Sequence, residues 1–313
     1  MGVWGTGVYS GDFAMDLRSS IGAVARLPFD GEKLVDILCE TDPRAANNPD
    51  DEDHTIFWLV IADQFAKRAI VCDRARDKAL AIIESGIDIA MLEKLGMNPS
   101  DLRKRRKALE EVRMRITATP AGSRPRPVLK KPQAFLMDVG DVFVYPTFGG
   151  RCRNPYAATK ELDRSGTMTP AWKQDGWSAM MIVDRGRAFD FLSWYRPLTI
   201  TMATVQKLTL EELRGEEVLW RLARAGTCSP VHFKRMEIER IGALPIDQSK
   251  LRLSFADMKP GRYEAINDIS IGNQISIGPY VPAAMMPRPG EPLNRRHGRP
   301  YPTILGIEQI LSG

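Results

Sequence analysis

Residues 117–133 read Thr-Ala-Thr-Pro-Ala-Gly-Ser-Arg-Pro-Arg-Pro-Val-Leu-Lys-Lys-Pro-Gln, with prolines at 120, 125, 127 and 132. Proline lacks the amide donor that helices and central strands require, so a cluster this dense keeps the segment out of both. Few large apolar side chains are present to tie it to a core, and the composition is that of a basic linker. The pattern of apolar residues changes across it, from helical spacing before to strand-like runs after. The expected organisation is therefore a helical domain over 1–116, the linker over 117–133 and a β-rich domain over 134–313.

Upstream, the opening Gly2-Val3-Trp4-Gly5-Thr6-Gly7-Val8-Tyr9-Ser10-Gly11-Asp12 has four glycines in quick succession, too many for a regular element. A tight fold-back fits it, with Trp4 turned inward as a structural anchor and Ser10 or Asp12 capping the helix that starts near Phe13. Helices are then predicted over Gly31–Thr41, about Asp51–Ala69, Asp73–Glu84, Asp88–Leu95 and Pro99–Ile116, with a polar loop over Asp42–Asp53. The run Phe57-Trp58-Leu59-Val60-Ile61-Ala62 is apolar all round and should form the buried centre of the bundle.

Downstream, Asp141-Val142-Phe143-Val144-Tyr145 reads as a strand, and Ser178–Val183 and Ala188–Trp194 as two more joined by a hairpin turn at Asp184-Arg185-Gly186-Arg187. Leu208–Ala225 reads as a helix. Short strands are expected at Met236–Ile241, Arg262–Ala265 and Gln274–Ile277, and an irregular Pro/Arg-rich arm over Pro282–Pro302. The fold class is α+β, with an antiparallel or mixed sheet in the second part.

Composition narrows the functions. Hydrophobic residues make up 43% and charged residues 27%, which suits a globular chain. The longest apolar run, Ile56–Ala62, is about a third of the roughly 18 residues that a membrane span needs. The opening lacks the pattern of a signal peptide, so a cytoplasmic location is expected. Cys39, Cys72, Cys152 and Cys228 lie far apart, which favours single thiols over a disulfide framework or a zinc site. Histidines number three, His54, His232 and His297, which counts against metal and general-base chemistry. Charge is divided unevenly: 17 Lys+Arg face 20 Asp+Glu up to residue 120, and 27 face 19 beyond it.

Two stretches resemble known families. The opening, with Gly2, Trp4, Gly5, Gly7, Asp12, Ala14 and Asp16 at these spacings, resembles an uncharacterised bacterial family that begins Met-Gly-x-Trp-Gly-x-Gly and runs on to Asp-x-Ala-x-Asp. Phe57-Trp58-Leu59 with Ala62-Asp63-Gln64, and the segment Ala79–Gly86, are similar to later parts of that family. The likeness thus covers most of residues 1–116 and brings no activity with it. Val139-Gly140-Asp141-Val142-Phe143-Val144-Tyr145 is similar to the first strand of an immunity-protein family from bacterial polymorphic toxin systems. That likeness implies a protein that binds and neutralises another protein, and implies no catalytic residues.

Each candidate site has a simpler structural role beside the chemical one. The glycine-rich opening has no Gly-Lys-Ser/Thr and no preceding strand, so a structural turn fits better than a phosphate loop. Asp12 and Asp16 share a helix face and could hold a metal or act as acid and base; capping and solvation explain them as well. Asp50–Asp53 precede a helix, where acidic residues complement its dipole. Arg103, Lys104, Arg105, Arg106 and Lys107 are the candidate nucleic-acid contact, against a solvated helix face. Trp172, Trp177, Trp194 and Tyr195 suit a core, and Cys228-Ser229 with His232 lacks a visible third catalytic member. No catalytic, cofactor or metal residues are assigned. The expected role is non-catalytic binding of another protein in bacterial immunity, antitoxin or defence. The alternatives are a nucleic-acid-binding accessory protein and an enzyme with a carboxylate site around Asp12 and Asp16.

Overall fold

The computed structural model describes residues 5–118, 126–148, 151–152, 174–201, 203–216, 218–223, 225–247 and 305–311. They fall into two compact units, one ending at Pro132 and the other starting at Gln133. The first is helical and the second is built on an antiparallel sheet, so the chain is α+β.

The helical unit contains α1 (Asp12–Val24), α2 (Gly31–Thr41), α3 (Pro43–Asn47), α4 (His54–Lys67), α5 (Asp73–Ser85), α6 (Ile87–Lys94) and α7 (Pro99–Thr117). Helix α4 sits at the centre, packed against α1, α3, α5 and α7. Phe57 through Ala62 are all buried, which is why that run carries no polar face. Local caps set several of the boundaries. Asp30 accepts a hydrogen bond from the Lys33 amide at 2.8 Å to start α2, and Asn98 accepts from the Asp101 amide at 3.0 Å, ahead of Pro99, to start α7. Helix α7 buries Leu102, Arg105, Leu109, Val112 and Ile116, spaced by three and four residues along one stripe. Gly86, at φ +71°, lets α5 stop and α6 begin at once, a left-handed conformation that costs glycine little.

Three sequence expectations change here. The Asp42–Asp53 loop contains the short helix α3, with Pro43 at its first position. The N-cap of α1 is Gly11, in extended conformation, with no side-chain cap. Ser10 instead accepts from the Gly7 amide at 3.1 Å, within the glycine-rich turn. The second half of the linker is not free: the Leu129 amide donates to the Arg26 carbonyl at 2.8 Å, and Arg126 donates to the carbonyls of Ala25 and Phe29.

The second unit contains β1 (Asp141–Phe148), β2 (Arg151–Cys152), β3 (Gln174–Ala188), β4 (Leu192–Ile200), β5 (Leu219–Leu222), β6 (Gly226–Thr227), β7 (Glu239–Ala243) and β8 (Leu305–Gly306), with α8 (Pro230–Arg235) and α9 (Ile307–Leu311). The strand order is β2-β1-β3-β4-β5-β8, with β7 beside β1 and β6 beside β4, and every described pairing is antiparallel. Both faces are covered. Val142, Val144, Met181, Leu198 and Trp220 pack on one face with Ile307 and Ile310. Phe143, Tyr145, Met180, Ile182 and Tyr195 pack on the other with Met236. A strand buried on both faces reads as a continuous apolar run, which is the texture of residues 142–145.

The hairpin between β3 and β4 turns at Phe189 and Asp190, with φ of 52° and 63°, and not at residues 184–187. Gly186 lies inside β3 opposite Trp194, whose ring would come within 2.5 Å of a Cβ at that position. That glycine therefore makes room for an indole across the strands and does not mark a turn. Residues 208–225 are not one helix; they hold a 3-10 turn at Glu212–Arg214 and strand β5. Trp220 and Leu213 pack into the sheet core there, and tertiary burial overrides the helical spacing. Trp194 and Tyr195 are buried and Trp177 packs at the edge of the core. Trp4, Trp172, the strands expected at 262–265 and 274–277, and the arm at 282–302 lie outside the described residues.

Candidate functional site

The helical unit carries a cleft of about 400 Å³, drawn from the stretches 7–14, 41–45, 51–56 and 88–95, together with Arg105. One wall is the glycine-rich turn, which is pinned from α4 and α7. The Tyr9 hydroxyl donates to Asp63 and accepts from the Gln64 side chain, and Arg105 Nη1 donates to the Gly7 carbonyl at 2.9 Å. Asp63 is fully buried and is held as well by Lys67 Nζ, at 2.6 Å, and by Arg115. Burial, and next the hydrogen bond to Asp63, push the Tyr9 phenol above its ordinary range. It stays a neutral donor.

A second wall is α3, tied to α4 by two side chains. The His54 ring contacts the Ala45 carbonyl at 2.7 Å through Nδ1, and Trp58 Nε1 donates to the Ala46 carbonyl at 3.2 Å. Both satisfy carbonyls that the end of a short helix leaves open. Asp88 and Arg105 are almost wholly buried and paired twice, Nε to Oδ2 and Nη2 to Oδ1, each at 2.8 Å. Thr55 Oγ1 donates to the same carboxylate at 3.1 Å.

Six carboxylates line the cleft, Asp12, Asp42, Asp51, Glu52, Asp53 and Asp88, against two guanidiniums, Arg44 and Arg105. Arg44 is paired with Asp51 and Arg105 with Asp88. Asp12, Asp42, Glu52 and Asp53 are left without an ion pair among the described residues. Burial raises the Asp42 carboxyl above its ordinary range, and the charges of Asp53 and Asp16 add to this. Burial does the same to Asp53, with Asp51 and Glu52 adding to it and the positive charge of Arg44 opposing it. The far side is apolar: Met91, Leu92 and Leu95 come from α6 and the residue that ends it.

The structure thus gathers residues that are scattered in the sequence. Asp12 lines the cleft, while Asp16, one turn on, is exposed on α1 and acts on it through Asp42. Among the described residues, no group of three or more His, Cys, Asp or Glu side chains is placed to hold a metal ion. Asp42, expected in a loop, lines the cleft as well; its sequence signal is the Asp-Pro pair that opens α3. The basic run divides. Arg103, Lys104, Arg106 and Lys107 are exposed on α7, with Lys104 paired to Asp101 at 2.8 Å, whereas Arg105 turns inward to Asp88 and leaves the surface patch. In the second unit, burial pushes the Cys228 thiol up to about 12, so it stays protonated and is a poor nucleophile. The four cysteines are free thiols. No helix among the described residues is long and apolar enough to cross a membrane.

Comparison with protein-family models, curated proteins and solved structures finds no match for this chain.

Proposed function

We propose that the protein works by binding another protein, and that the acidic cleft of the helical unit is the contact surface. The observation that carries this is the charge imbalance of the lining: both guanidiniums are already spent on internal carboxylates, and four acidic side chains remain to face a ligand. Opposed charge speeds encounter and excludes wrong partners, while the apolar α6 side supplies area to bury. The role is non-catalytic recognition in bacterial immunity, antitoxin or defence, a setting supported by the likeness of Val139–Tyr145 to toxin-immunity proteins. Charge reversal at the rim tests it. Glu52→Lys together with Asp12→Lys should abolish binding to a basic model protein such as a histone-like polypeptide, and rising salt should weaken the wild-type interaction. Binding that ignores both perturbations would refute the proposal.

A second use is favoured by one observation: Arg103, Arg106 and Lys107 stand on the exposed side of α7 with no ion pair among the described residues. Such a stripe suits a phosphate backbone, and affinity for duplex DNA or RNA would then fall steeply with salt and with Arg103→Glu/Arg106→Glu.

A further inference from the structure

We infer that Arg18, Lys67, Arg68 and Arg115, gathered around Tyr9, form a binding site for the phosphate dianion of a monoester. The inference goes beyond the acidic cleft and does not depend on it: neither Tyr9 nor any of the four cations lines that cleft.

Three helices bring the cations together. Lys67 Nζ, at the end of α4, lies 4.9 Å from the centre of the Tyr9 ring, and the Arg18 guanidinium of α1 lies 5.5 Å from it. Lys67 and Arg115 of α7 both donate to the Asp63 carboxylate, which also accepts from the Tyr9 hydroxyl. Arg68 Nη2 is 3.9 Å from where a Cβ on Gly22 would stand, and Gly22 is one turn on from Arg18 along the same face of α1. Groups out of water hold this arrangement from beneath. Asp63 is fully buried, and the buried Gln64 side chain accepts from Arg68 Nη1 and donates to the Tyr9 hydroxyl.

Four positive charges here face one carboxylate, and Asp63 is already shared between Lys67 and Arg115. Arg18 has no hydrogen bond or ion pair among the described residues, and Arg68 donates only to the main chain and side chain of the neutral Gln64. Burial lowers the Arg68 guanidinium below its ordinary range and the charge of Arg18 adds to this, against the opposing influence of Tyr9 and Asp63. Helix dipoles account for cations at the ends of α4 and α7, but not for Arg18 in the middle of α1. An anion between the two guanidiniums relieves their repulsion. Convergence selects which anion. A nucleic-acid backbone takes cations spread along its length, whereas four directed at one tyrosine suit a compact group with more than one charge. A phosphate monoester carries about −1.5 to −2 at neutral pH on three acceptor oxygens, and guanidiniums match it with paired hydrogen bonds.

The test is isothermal titration calorimetry of the full chain with phenyl phosphate, inorganic phosphate and dimethyl phosphate, at one ionic strength set with chloride. Phenyl phosphate should bind with a Kd below about 1 mM. Arg18→Gln, at an exposed position, should weaken it by about tenfold or more, the loss expected for hydrogen bonds to a charged group. Arg68→Gln should do the same, with circular dichroism to check that this half-buried variant is folded. Lys33→Gln, exposed on α2, removes one positive charge elsewhere and should change nothing. No binding of phenyl phosphate, or an equal loss in Lys33→Gln, would overturn the site, the second by showing that diffuse charge suffices. Dimethyl phosphate, with a single charge, binding as tightly would overturn the choice of a dianion, and binding of inorganic phosphate alone would overturn the choice of an ester. A short DNA duplex that binds more tightly than phenyl phosphate, and loses that binding in Arg18→Gln, would replace the monoester by a nucleic-acid backbone.

Discussion

Removing Arg105 should damage the helical unit more than any change in the exposed basic run beside it. Arg105→Met keeps much of the side-chain volume and deletes the guanidinium. The Asp88 carboxylate, 1% exposed, then keeps only the Thr55 hydroxyl as a donor, and the Gly7 carbonyl loses its partner. Breaking one side of a buried pair costs about 3–5 kcal/mol, because the surviving charge is left uncompensated. The net stability of a domain is about 5–15 kcal/mol, so the variant should lose about a fifth of it or more. Urea unfolding followed at 222 nm reads mainly the helical unit and gives the loss directly. Replacing both partners, Asp88→Leu with Arg105→Met, should recover most of it, since the expense of burying two charges goes with the pair. A loss under about 1 kcal/mol for Arg105→Met would show that the pair is hydrated and that α7 is not held to α6 in this way. A double variant no better than the single would show that packing, and not the stranded charge, sets the cost.

Asp42→Asn should raise the melting temperature at neutral pH. The folded-state pKa of Asp42 lies above its unfolded value, so its contribution to stability is present at low pH and is lost as pH rises through the raised value; Asn mimics the protonated form. Melting curves across pH should show the gap between variant and wild type closing on acidification, and a gap that widens would contradict the sign. Gly186→Ala should cost about 1–3 kcal/mol, because a Cβ there meets the Trp194 ring at 2.5 Å; calorimetry showing no change would mean that the strands part freely. Limited proteolysis with thermolysin should cut first within residues 117–133 and leave two resistant fragments, whereas first cleavage within residues 55–95 would refute the division into two cored units.

What the sequence determined by itself is what local chemistry decides. The bounds of α2 follow from Asp30 and the apolar spacing after it, α7 follows from Asn98-Pro99 and its buried stripe, and the burial of α4 follows from a run with no polar face. The first strand was legible because residues 142–145 are apolar without interruption, and the break between helical and strand-rich parts because proline clusters are a local signal. Three matters were decided only by the tertiary structure. Gly186 looked like a turn residue because the reason for it, the Trp194 ring, sits on another strand. Residues 219–222 became a strand because Leu198, Thr199 and Ile200 lay alongside to pair with them. The cleft exists because folding brings residues 7–14, 41–45, 51–56 and 88–95 together, and the inward turn of Arg105 depends on Asp88 lying opposite it. Helical periodicity reports which side of a helix is buried; it carries no information on which distant carboxylates will share one cavity, since that is set by how the helices pack.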